Sequence, residues 1–140
     1  MTEFGVDVSA EDIIDTLGFF DDWEDRYKYI IDLGKELPAL PESARTEQNL
    51  VRGCQSQVWL DSSLKQGKMY FGADSDAFIV KGLLAIVLAA YNGKTPTEVN
   101  AFDIDAYFND LSLLSHLSST RGNGLKSMVE RIQAEATEAL

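Results

Sequence analysis

The chain has 140 residues, 45% of them apolar and 25% charged, and a formal net charge of -11. That length and mix suit a single soluble domain spanning 1–140. The acidic balance argues against nucleic acid, whose phosphates need clustered Lys and Arg, and against an anionic membrane surface. One cysteine and one histidine exclude an intrachain disulfide. They also exclude a Cys₄ or Cys₂His₂ zinc site and a four-thiolate iron–sulfur cluster held by this chain alone.

The opening "MTEFGVDVSAEDII" carries neither a basic region nor an apolar run, so no secretory or Arg-rich leader is expected. Ser9 followed by Asp12 has near capping-box spacing, and Ile13, Ile14 and Leu17 give the first helix one apolar face that Gly18 can end. In "DDWEDRYKYIIDLGKEL", Trp23, Tyr27, Ile30 and Ile31 recur near 3.6 residues, predicting a second amphipathic helix that Pro38 and Pro41 terminate. "LPALPESARTEQN" reads as an irregular connector. A short strand at Leu50 to Arg52 could lie beside a hairpin whose strands run from about Gln57 to Leu64 and from Lys68 to Ala73, with the turn near Gln66-Gly67. Imperfect alternation in the first strand suggests burial on both faces.

Asp74, Ser75 and Asp76 are all good N-cap types, so a central helix is expected over 76–91, stopped by Asn92-Gly93. Its apolar run, broken by Lys81 and Gly82, is too short to span a bilayer. Thr95-Pro96-Thr97-Glu98 is a capping box with proline at the first helical position. "DIDAYFNDLSLLSHL" carries one or two further helical turns. A last helix is expected from about Asn123, with Leu125, Met128, Val129 and Ile132 facing inward. The expected class is α+β, a small antiparallel sheet flanked by helices.

Cys54 sits in "NLVRGCQSQVWL", after a glycine and before a polar Gln-Ser-Gln run. Structural cysteines usually lie among apolar residues, so this context suggests a thiol on a loop tip. Gly53 gives the backbone freedom to re-aim it, and Arg52 could favour the thiolate, the form that attacks disulfides and persulfides. His116 is the only histidine available as a base, and no protease-like signature surrounds the cysteine. A free thiol fits a reducing, cytoplasmic compartment. From the residues alone, a reactive thiol, a peroxide-sensing thiol and an inert cysteine in an interaction module all remain open.

"WEDRYKYIIDLGKELPALP", "NLVRGCQSQVWL", "DSDAFIVKGLLAIVLAAYNGKTP" and "LSHLSSTRGNGLKSMVERI" closely resemble the SufE/CsdE family of sulfur-acceptor proteins, in the right order and from about Trp23 to the end. The first dozen residues match poorly. The resemblance implies a SufE/IscU-like fold and a partner protein that is not itself a self-sufficient enzyme. It would take persulfide sulfur onto Cys54 from a pyridoxal-phosphate cysteine desulfurase of the SufS or CsdA type and stimulate that enzyme. The sulfur would pass to an iron–sulfur scaffold complex of the SufBCD kind. A CsdE-like carrier serving another desulfurase and other acceptors is the nearest alternative. No metal and no cofactor is implied on this chain, the pyridoxal phosphate belonging to the partner. IscU-type scaffolds carry three cysteines, so a single one favours a carrier.

The resemblance also marks supporting residues. Gln55 and Ser56 could hold the loop through backbone hydrogen bonds. Asp74 and Asp76 match the family's "DSDA" stretch and could shape the surface by the loop, or simply cap the central helix. Arg121 matches a family arginine near the acceptor cysteine and could contact the desulfurase or a persulfide anion, or be a solvated surface residue. Trp59, Val58 or Leu50 could line an apolar pocket for the thiol. Lys81 is expected to snorkel to the surface and His116 to be structural. Trp23, Tyr27, Phe19 and Phe20 are most simply core.

Overall fold

The computed structural model describes residues 3–53 and 56–140. Helix α1 is Ala10–Phe19, and its capping box is formed: the Asp12 amide donates to Ser9 Oγ at 3.1 Å and the Ser9 amide to the Asp12 carboxylate at 3.0 Å. The helix runs through Gly18 to Phe19, which projects into solvent at 84% exposure and so is not core. Helix α2, Trp23–Glu36, starts on Asp22, whose carboxylate accepts from the Asp25 amide at 2.9 Å, and it ends before Pro38. The connector that follows is irregular apart from a 3-10 turn at Glu42–Ala44.

Strands β1, Val58–Lys65, and β2, Lys68–Ser75, pair antiparallel from Val58↔Ser75 to Lys65↔Lys68. Gln66 and Gly67 both have positive φ, the two-residue turn whose twist matches that of the strands. Val58, Leu60, Met69, Phe71 and Ala73 enter the core. At the open end the other face is covered too. The guanidinium of Arg45 lies 5.5 Å from the Trp59 ring centre, and Leu40 lies over Gly72. The expected strand at Leu50 to Arg52 is reduced to a bridge between Leu50 and Trp59, with the Val51 amide donating to Val58 O at 2.8 Å.

Helix α3, Phe78–Tyr91, is the core of the molecule, buried from Gly82 through Tyr91. A Cβ on Gly82 would come within 2.1 Å of Ile30 O, so the residue that interrupts the apolar run is the one that lets α2 cross at backbone contact. The helix begins two residues later than expected, and none of Asp74, Ser75 or Asp76 is its N-cap residue, which is Ala77. Asp74 and Ser75 are still in β2.

Helices α4, Pro96–Ala101, and α5, Ile104–Asp110, follow, the first with the Thr95/Glu98 capping box. A 3-10 turn at Leu114–His116 leads into α6, Ser119–Glu138. This helix starts four residues before the sequence suggests, because Ser118 caps it by accepting from the Arg121 amide at 3.2 Å. Gly122 and Gly124, which look like a break, lie inside it. The architecture is α+β, as expected, and among the described residues no helix is long and apolar enough to cross a membrane.

Candidate functional site

Cys54 and Gln55 lie outside the described residues. On the near side, Arg52 is exposed and Gly53 sits at φ +92, a left-handed conformation that side chains disfavour. A Cβ there would lie 2.6 Å from Ser127 Oγ on α6. On the far side, the Gln57 amide donates to the Asp76 carboxylate at 3.2 Å, and Gln57 O accepts from Ser75 Oγ at 2.7 Å. Asp76 is therefore a loop anchor. Further back, the Asn49 side chain donates to Ala44 O at 2.7 Å and Arg131 to Gln48 O at 2.6 Å. Gly53 and Gln57, which flank the undescribed pair, are thus held by α6 and by the end of β2 respectively.

Asp74 is not part of that support. Its side chain is 1% exposed and receives the Arg45 guanidinium at 2.5 Å, Lys81 Nζ at 3.5 Å, the Ser75 amide at 2.9 Å and the Leu40 amide at 3.3 Å. Burial pushes the carboxyl pKa up, but the Ser75 amide, Arg45 and Lys81 outweigh it and hold the group below the usual carboxylate range. Asp74 fastens the connector to the sheet behind the loop. Lys81 turns inward to this carboxylate rather than snorkelling away.

Arg121 meets the loop from the other side. It lines a narrow cavity of about 20 Å³ with Ser56, Val80, Leu83, Thr120, Gly124 and Met128. Its Nη1 is buried and finds no hydrogen-bond partner among the described residues. A buried donor left unpaired costs roughly 1–3 kcal/mol, so the arrangement is not that of a solvated surface arginine. The cavity's apolar wall comes from α3 and α6, not from Trp59, Val58 or Leu50. Val58 is in the closed core, and Trp59 packs under Arg45.

On the outer side of Arg121 an open groove is lined by Tyr27, Ile31, Ile79, His116, Leu117 and Ser118. Trp23 stacks on His116 with ring centres 3.8 Å apart, and the Tyr27 hydroxyl donates to His116 O. His116 is structural in this arrangement, fixing the turn before α6 to α2.

The structure brings Gly53, Ser56, Asp76 and Arg121 around one segment and leaves Asp74 behind it. Sequence reasoning missed Ser127, Thr120, Gly124, Met128, Val80 and Leu83. The helical spacing of Thr120, Gly124, Ser127 and Met128 was the available signal; an expected start at Asn123 left Thr120 outside the helix and so shortened it.

Comparison with known proteins gives a consistent result. The family model described as "SufE: Fe-S metabolism associated domain" matches residues 11–136. An uncharacterised SufE-like protein of Rhizobium meliloti (strain 1021) is 48% identical over 132 residues, covering 91% of this chain and 94% of its own. Another from Rhizobium etli is 52% identical over 132 residues, covering 91% and 89%. The solution structure of a hypothetical protein from Thermus thermophilus superposes with a TM-score of 0.76 over 93% of this chain and 94% of its own, at 18% identity, a likeness of fold alone. The chain belongs to the SufE family, with a role in sulfur transfer or iron–sulfur metabolism.

Proposed function

We propose that this protein is a persulfide carrier: Cys54 accepts sulfur from a pyridoxal-phosphate cysteine desulfurase of the SufS or CsdA type, stimulates its turnover by emptying it, and delivers the sulfur to an iron–sulfur scaffold of the SufBCD kind. The Cys54 thiolate attacks the outer sulfur of the enzyme's cysteine persulfide. A new S–S bond forms on Cys54, the old one breaks, and the enzyme cysteine leaves as thiolate, with no net oxidation. The chain itself supplies a thiol, its support and a docking face; the pyridoxal phosphate belongs to the partner.

The observation that carries this reading is Arg121. A buried guanidinium nitrogen without a partner among the described residues, beside the segment that bears the only thiol, is a donor suited to an anionic sulfur. Gly53 and Gln57, on either side of the thiol-bearing residue, are each held by contacts to the body of the protein, which gives the acceptor a fixed support.

The test is incubation with a desulfurase and L-cysteine, followed by intact mass. One added sulfur that reductant removes is expected on the wild type and none on Cys54→Ser. Loss of a charge-assisted hydrogen bond in Arg121→Gln should slow uptake about ten-fold. Sulfur uptake by Cys54→Ser, or none by the wild type, overturns the reading. Modification by peroxide alone, with none by the enzyme, favours a redox sensor.

A further inference from the structure

The hairpin has two outer edges, and they are covered unequally. On β2 the Met69 amide donates to Lys94 O at 2.7 Å, Met69 O accepts from the Gly93 amide at 2.8 Å, and the Phe71 amide donates to the Asn92 side chain at 2.7 Å. On β1 the cover is short. Val58 O accepts from the Val51 amide at 2.8 Å, and the Leu60 amide donates to Asn49 O at 2.8 Å. Those two bonds show that the even-numbered residues of β1 turn their backbone groups away from β2. Past Leu60, the amides and carbonyls of Ser62 and Leu64 therefore face outward, and they find no partner among the described residues. Asp61, Ser63, Leu64 and Lys65 are exposed, Leu64 at 54%. Among the described residues neither Asp61 nor Lys65 forms an ion pair.

An open edge is a template for another strand. This one, Asp61-Ser62-Ser63-Leu64-Lys65, is its own antiparallel complement. With Ser63 opposite Ser63 of a second copy, Asp61 faces Lys65 and Lys65 faces Asp61. Ser62 faces Leu64, both of them outward-turned, so backbone bonds are exchanged at each such pair. The Asp61–Lys65 pairs fall at the non-hydrogen-bonded positions, where facing side chains come closest. Sliding the register two residues one way sets Asp61 against Gly67 and loses both ion pairs. Sliding it the other way sets Leu64 against Leu60, whose amide Asn49 already takes.

We propose that the open edge of β1 is a self-association surface: two copies pair through residues 61–65 about a two-fold axis at Ser63, making a four-stranded antiparallel sheet. Residues 58–75 carry two acids and two cations, so the net charge of -11 is not concentrated at the contact. The paired stretch is far smaller than a standard interface, so the association is weak and reversible, with a dissociation constant on the order of 0.1–1 mM. Gln57 lies about 20 Å along the strand from Ser63, which leaves the acceptor end of each hairpin uncovered. The inference does not depend on the carrier reading.

The experiment is sedimentation equilibrium at low salt, from about 10 µM to about 2 mM chain, with reductant present so that Cys54 cannot cross-link. The wild type should show a monomer–dimer equilibrium. Asp61→Lys and Lys65→Asp each set like charges opposite one another twice, and each alone should weaken association about ten-fold or more. Asp61→Lys also lowers the net negative charge, so general repulsion predicts the opposite change for it. Mixed in equal amounts, the two variants should associate with each other within about twofold of wild type, because the introduced lysine of one faces the introduced aspartate of the other. Ser62→Pro removes an outward amide without touching the bonds between β1 and β2, and should weaken association to a similar extent. A wild type that stays monomeric to about 2 mM overturns the proposal. So does association that Asp61→Lys strengthens, or a mixture that associates no better than the separate variants.

Discussion

Asp74 shows what a single buried charge does in this molecule. Its carboxylate is enclosed, yet every partner named for it is a donor: Arg45 and Lys81 from two segments and amides from Ser75 and Leu40. Removing one member of a buried ion pair commonly costs about 3–5 kcal/mol. Here Arg45 is 40% and Lys81 29% exposed, so both cations can return to water, and Asp74→Asn is expected to cost about 2 kcal/mol at pH 7. The sign with pH follows from the depressed folded value. The contribution is complete above the unfolded carboxyl pKa of about 3.9 and fades as pH falls through the lower folded one. Urea unfolding of wild type and Asp74→Asn should therefore differ fully at pH 7 and 5, the gap shrinking only below about pH 4 and closing as pH falls through the lower folded value. A gap that does not shrink at all as pH is lowered below about 4 would mean that packing, not charge, holds the connector.

At the scale of elements, one side chain ties three of them. Asn92, just past the end of α3, accepts from the Phe71 amide of β2 at 2.7 Å and donates to Phe4 O of the N-terminal segment at 2.9 Å. Asn92→Ala leaves both groups unpaired in a buried place and should cost about 2–3 kcal/mol. Limited proteolysis should then cut first near Phe4, whose ring is otherwise packed into the core; unchanged cleavage would show that the ring alone holds the segment. The sequence marked Asn92 only as a helix stop, and this pattern recurs. Where a signal is local, the elements were legible: the capping boxes at Ser9 and Thr95, the Gln66-Gly67 turn, and the apolar stripes of α1, α2 and α6. Where the answer depends on what lies opposite, local signals misled. Three cap-type residues in a row do not say where β2 stops, and Gly122 and Gly124 look like a break until Ser118 is seen capping beyond them. The same holds for the candidate site. Cys54 stood out by its polar, glycine-bearing context and by resemblance. Ser127 and Met128 did not, because their role comes from a contact with the loop made only when α6 folds back across it.

Over the whole molecule the charge is unevenly spread. Eleven of the 23 acidic residues fall within the first 36 positions, against three cations there. Four of the five arginines, Arg45, Arg52, Arg121 and Arg131, sit on the segments that frame the acceptor loop. The acidic end therefore repels itself with few cations to offset it, and a large net charge destabilises the compact state in this way. Salt acts on two opposing sets of interactions. It screens the repulsion among exposed carboxylates, and it weakens the favourable pairs. Of those pairs, Asp32–Lys35 is exposed at 3.7 Å and contributes little, while Asp74 with Arg45 and Lys81, and Arg131 with Glu135, are partly buried and poorly screened. Relief of repulsion should win. The melting temperature is expected to rise by about 2–4 °C between about 20 and 300 mM NaCl, on the order of 1 kcal/mol for a chain of this size. The rise should level off once the Debye length falls below about 5 Å, because screening then has nothing more to remove. A continued linear rise in molar salt would point to general salting-out instead. A melting temperature that falls with salt would mean that the few ion pairs, rather than the acidic crowd, govern the electrostatics of the fold.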